Sequence, residues 1–185
     1  NVWDAEKGYH GESVYEKLSG KKGFSIRLLA VAVPNLGGLV VAKDSGIFRY
    51  SDLKGKRVCG NYPTPSLQAQ VEAFLANGNL AWKDVIPVPV NSVVEGVKMV
   101  MDGRADVSTA AVGSGIIEEL NAKKGARFLG VDTSPQAIER TRKFHPGYPY
   151  KVKPGPGNTG VEKEQYVWAY DIYLIVGEQV PDNVI

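Results

Sequence analysis

From Lys54 onward the chain alternates short apolar runs with helical stretches of about ten residues, and few architectures accept that pattern. The first unit shows its logic. Arg57, Val58 and Cys59 read as a short strand, Gly60 as a turn and residues 61–66 as a polar loop; a helix then runs to about Asn77 and stops at Gly78. Thr64 stands at the N-cap position and Pro65 at the first helical position, where a missing N–H costs nothing. Leu67, Val71, Phe74 and Leu75 recur at i, i+4, i+7 and i+8 and make one apolar face. A strand that delivers a hydroxyl-rich loop to a helix N-terminus leaves amide N–H groups unpaired at the positive end of a dipole. Such a place suits a carboxylate or phosphate, although most capped strand-to-helix turns bind nothing.

The unit repeats. Residues 85–90 are strand-like, with Pro87 and Pro89 arguing for a sheet edge. Ser92 and Glu95 form a capping box for a helix that Gly103 ends. Residues 105–112 make the next strand, and Gly113, Ser114 and Gly115 open a helix bearing Ile116, Ile117 and Leu120. A strand over 126–131, a helix from Ser134-Pro135, a long Pro/Gly loop over 146–160 and a strand over 167–176 follow. Upstream, 26–33 is a strand that Pro34-Asn35 breaks, and 39–42 is a second; their continuous apolarity predicts burial on both faces. Residues 1–23 offer one irregular helix around 13–18. The expectation is an α/β fold, a mainly parallel sheet flanked by helices, with ligands beyond the carboxyl ends of the strands. Two turns there carry small hydroxylated residues, so the candidate ligand-binding residues are Asn61, Tyr62, Thr64, Ser66, Gly113 and Ser114.

The rest of the composition mainly excludes. The 22 Lys and Arg against 20 Asp and Glu leave a net charge of +2, mixed along the chain, which argues against a nucleic-acid partner. No apolar run approaches the ~18 residues a membrane helix needs. A single cysteine, Cys59, forbids an internal disulfide and reads as a small buried hydrophobe. His10 and His145 lack ligand-spaced partners, and neither a G-x-S-x-G elbow nor a G-x-x-x-x-G-K loop occurs. Glu118 and Glu119, adjacent on a helix, face different ways. Binding is therefore expected rather than catalysis, with no enzyme activity, metal or cofactor. The opening on Asn1 and the close on a helix-start signal with barely one turn behind it read as an internal fragment of a longer protein.

Several runs resemble a known family. Lys43-Asp44-Ser45-Gly46-Ile47, then residues 51–58 (SDLKGKRV), look like the hinge and second-lobe entry of type II periplasmic solute-binding proteins. More narrowly they are similar to the TAXI family, the solute receptors of TRAP transporters. That family's V-G-x-P-G-S-G-T loop is replaced here by residues 59–66 (CGNYPTPS). Asp102-Gly103-Arg104-Ala105-Asp106 matches its D-G-x-x-D, Val180-Pro181-Asp182 its return helix, and Ala32-Val33-Pro34-Asn35 its Y-P-N element, which adds Asn35 to the candidate ligand residues. The resemblance implies a periplasmic receptor that closes two lobes on a small organic anion, an amino acid or dicarboxylate, and delivers it to the TRAP membrane subunits. It also implies a fragment with one near-complete lobe: residues 1–40 as part of lobe I, 41–170 as lobe II and 171–185 as a return segment. Pro63 and Pro65 stand where the family has glycines, which stiffens the loop. Two alternatives remain open: a ligand-sensing domain of a regulator or sensor protein, and a transferase of porphobilinogen deaminase type.

Overall fold

The computed structural model describes residues 1–19 and 22–184; Gly20, Lys21 and Ile185, the last of the expected return segment, lie outside the described residues. It divides into two units, residues 1–35 with 170–185 and residues 36–169.

The second unit carries the alternation. Its elements are the end of β1 (Ile26–Ala42), then β2 (Arg57–Gly60), α3 (Pro65–Asn77), β3 (Ile86–Pro89), α4 (Val93–Met101) and β4 (Val107–Ala111). After them come α5 (Gly115–Lys124), β5 (Ala126–Phe128), α6 (Pro135–Arg142), β6 (Tyr148–Val152) and the start of β7 (Gln165–Gly177). The strands form one sheet in the order β3-β2-β4-β1-β7-β6, with β5 also pairing β1. β2 runs parallel to both β3 and β4, as crossover helices require. β1 pairs antiparallel with β4 and β5, and β6 antiparallel with β7, so the sheet is mixed. Helices α3 and α6 pack together, as do α4 and α5. The core lies between helices and sheet, around Leu39, Phe74, Ile117, Leu120, Phe128 and Trp168.

β3 lies at the end of the strand order, where the prolines placed it. Ile86 N–H donates to Lys56 O (2.8 Å) and Val90 N–H to Gly60 O (3.1 Å). Pro87 and Pro89 occupy the alternate positions, whose N–H groups would point away from β2.

The first unit holds α1 (Val2–His10), α2 (Glu16–Ser19), 3₁₀ turns at Ser13–Tyr15 and Asp182–Val184, and the outer parts of β1 and β7. The sequence reading missed α1. Asn1 caps it by accepting the Asp4 N–H, Gly11 closes it at φ 64°, and Val2 and Trp3 are buried. β1 is also a correction: one strand of 17 residues replaces the two expected, because Pro34 and Asn35 stay extended. Nor is all of it buried on both faces. Leu39 to Ala42 are buried where β4 and β5 flank them, whereas Leu28, Val31 and Val33 are exposed. β6 is also a correction, since it occupies part of the 146–160 stretch whose prolines and glycines predict a loop.

Candidate functional site

After β2 the chain turns to β3 on one side; after β4 it leaves through α5 towards β5 and β1 on the other. Adjacent parallel strands whose following connections diverge leave a crevice between their carboxyl ends, the usual ligand position in open α/β sheets. Val58 stands opposite Val107, so the β2–α3 and β4–α5 turns emerge side by side at that edge. The β3–α4 turn opens there too, because β3 parallels β2 in register.

These turns differ in how their helix ends are satisfied. At α4, Ser92 Oγ accepts the Glu95 N–H (3.1 Å), which is half of the expected box; Glu95 Oε2 reaches past the cap residue and accepts the Asn91 N–H (2.8 Å) instead. At α3, Thr64 is extended (φ −86°, ψ 110°) but its side chain makes no cap bond. At α5, Ser114 makes none either; its Oγ donates to Ala111 O (2.8 Å). Two neighbouring helix N-termini thus keep first-turn N–H groups without a side-chain acceptor, next to an exposed Thr64 hydroxyl.

The other candidate residues fall as follows. Asn61 is exposed at φ 54°, the left-handed region that Asn tolerates. Ser66 is buried in the first turn of α3. Tyr62 turns inward: a Cβ on Gly96 of α4 would lie 3.1 Å from the Tyr62 hydroxyl and 2.5 Å from Ser108 Oγ, so the ring roots the loop beneath α4. Burial pushes the Tyr62 phenol well above its ordinary value. Gly113, at φ 82°, sits beneath the Pro/Gly loop, where a Cβ would come within 2.9 Å of Gly157 O. Asn35 belongs to the first unit, where its side chain donates to the Tyr170 hydroxyl.

Polar groups behind the turns hold their elements in place. The Asp106 carboxylate receives Arg57 Nη2 (2.6 Å), Nε (3.2 Å) and N–H (2.8 Å), tying β2 to β4. The Arg57 guanidinium holds Asp106 below the usual carboxylate range. The D-G-x-x-D stretch therefore works here as a clamp, with Asp102 paired to Lys123 at 2.9 Å. On α3 itself, Gln68 and Glu72 are bonded one helical turn apart, a pair that i, i+4 spacing in the sequence would have revealed. Cys59 is fully buried and its thiol is pushed up to about 12, which removes it as a nucleophile. Among the described residues no helix is long and apolar enough to cross a membrane, and no cluster of three His, Cys, Asp or Glu is placed to hold a metal.

Comparison with curated proteins finds no match. Among solved structures, the chain is similar to the periplasmic sulfonate-binding protein SsuA of Methylobacillus flagellatus KT (18% identity, TM-score 0.49, 89% of this chain and 39% of that one). It is also similar to the substrate-binding protein of an amino acid ABC transporter (16%, 0.46, 93% and 55%). A third is a structure described for glutathione import via GshT and the cystine ABC importer TcyBC of Streptococcus mutans (16%, 0.47, 84% and 51%). The chain thus spans 39% to 55% of the length of these three structures. Residues 9–136 match the family model described as NMT1/THI5 like, and the chain belongs to that family.

Proposed function

We propose that this chain supplies the ligand-holding part of an extracytoplasmic solute-binding receptor. Its ligand is a small organic anion of the amino acid or dicarboxylate class, taken at the crevice between β2 and β4 and passed to a membrane transporter. The observation that carries the reading is the pair of uncapped helix N-termini, α3 and α5, side by side at the edge where parallel strands diverge. Their N–H groups, with the Thr64 hydroxyl, offer donors and a positive dipole end to a carboxylate. They offer no paired acid and base, and the buried Cys59 is no nucleophile, so the site binds rather than reacts. Residues 36–169 stand for lobe II, and residues 1–35 with 170–184 for part of lobe I. The TAXI-like runs favour TRAP-type membrane subunits as the recipient.

Titration calorimetry with succinate, L-glutamate and methanesulfonate at millimolar concentration tests the site. Thr64→Val should weaken the best of these about 5- to 150-fold, the loss of one hydrogen bond to a charged group. Thr64→Asp is the sharper variant. Asp is a good N-cap, so the helix should be kept or stabilised while a negative charge enters the anion's place. Binding should vanish with melting unchanged or raised. Parent-like affinity in both variants would remove the β2–α3 turn from the site, and a parent that binds no anion would refute the anion reading.

A further inference from the structure

The β2–α3 turn is held from behind by a closed set of contacts. Tyr62 N–H, inside the turn, donates to Gln68 Oε1 (3.2 Å). Gln68 Nε2 donates to Glu72 Oε1 (3.2 Å), and the same carboxylate oxygen receives Trp82 Nε1 (3.1 Å). The path then returns to the turn, because the Trp82 ring fills the space that a Cβ on Gly60 would need. Gly60 and Tyr62, two residues apart, are thus gripped through one carboxylate that touches neither.

We infer that Glu72 is the positioning residue of the proposed anion site, fixing the path of residues 60–64 through Gln68 on one side and Trp82 on the other. This deepens the proposed function and rests on it. A primary amide held only at its oxygen can flip, and flipping would turn N–H groups towards the Tyr62 N–H. The bond from Gln68 Nε2 to Glu72 fixes the orientation in which Gln68 accepts. Trp82 needs a similar anchor. A cavity of about 380 Å³ adjoins it, lined by Glu72, Leu75, Leu80, Trp82 and Phe144 among others, so the indole has free space beside it into which to turn. Glu72 closes that option. A loop whose amides must converge on an anion gains most when it is organised before the ligand arrives.

The test reads the turn without ligand first. Amide hydrogen exchange in the Glu72→Ala variant should accelerate at Tyr62 by tenfold or more, and the Trp82 indole N–H resonance should shift. Glu72→Gln supplies an oxygen able to accept both donors and should restore both signals. Gln68→Leu should accelerate Tyr62 exchange while leaving the Trp82 indole in place, so the path can be tested even if the alanine variant folds poorly. Succinate affinity should fall in Glu72→Ala and recover in Glu72→Gln. Parent-like Tyr62 exchange in Glu72→Ala and Gln68→Leu, or a glutamine variant no better than alanine, would overturn the assignment. Because exchange needs no ligand, that failure is separate from a failure of the parent to bind anions.

Discussion

Replacing Asn77 by Ala tests how α3, the helix that presents the proposed site, is fastened to the molecule. Asn77 is 1% exposed at the last turn of α3. Its Nδ2 donates to Asp132 O (3.0 Å) and Thr141 Oγ1 (3.1 Å), and its Oδ1 accepts the Asp132 N–H (2.8 Å). At roughly 1 kcal/mol for each of the three bonds, the change removes about 3 kcal/mol. Alanine returns about 0.5 kcal/mol through its better helix propensity. Thr141 still donates to Ala137 O (2.7 Å), so its hydroxyl is not stranded. The expected net loss is about 2–3 kcal/mol. In urea, with a slope of about 1–3 kcal/mol/M, that lowers the midpoint by on the order of 1–2 M without changing the slope. A double-mutant cycle with Thr141→Val should return a coupling of about 1 kcal/mol, because the two residues share one of the bonds. A loss under about 1 kcal/mol, or zero coupling, would show that packing rather than these bonds fastens α3 to α6.

The pH dependence of the Arg57–Asp106 clamp has a fixed sign. The folded pKa of Asp106 is depressed, so its contribution is present above the unfolded carboxylate value of about 4 and lost as pH falls through the folded value. Asp106→Asn should therefore melt below the parent at pH 7, with the gap closing on acidification below pH ~4; a gap constant down to pH 2 would contradict the clamp. Cys59, fully buried with its thiol raised to about 12, should resist a thiol-specific disulfide reagent in the folded protein at pH 8 and react at once in denaturant. Rapid native labelling would mean that the β2–α4 packing opens readily.

What the sequence disclosed and what it hid divide along the range of the interactions. An α/β fold with a sheet flanked by helices follows from the strand–helix alternation, its periplasmic-binding-protein-like class from the family-like runs over residues 43–58, and α3 begins and ends where Thr64-Pro65 and Gly78 place it. Those signals are local. The antiparallel pairing of β1 is not, since Gly37 meets Ala111 and Val41 meets Arg127 across most of the unit. No run of adjacent residues encodes such a register. β6 was hidden among prolines and glycines because its partner, β7, decides that it is a strand. At the candidate site, the turns themselves were legible from their hydroxyls and their place after strands. The inward turn of Tyr62 was not, because it depends on space left at Gly96, 34 residues on. Likewise the D-G-x-x-D stretch looked like a family mark, and only the geometry shows Asp106 gripping Arg57.

The prolines of β3 have a consequence for how this protein meets copies of itself. An outermost strand normally offers a row of outward amide donors, and any passing chain can zip onto it. In β3 the inward donors are kept for β2, and the outward positions fall to Pro87 and Pro89, which have no N–H to offer. The flank is left with Ile86 54% exposed, so greasy surface is present, but the backbone there offers an incoming strand only the Pro87 and Pro89 carbonyls and no N–H donor. Two imino acids thus make a hydrophobic border of the sheet a poor template for β-pairing, while β3 keeps its bonds to β2.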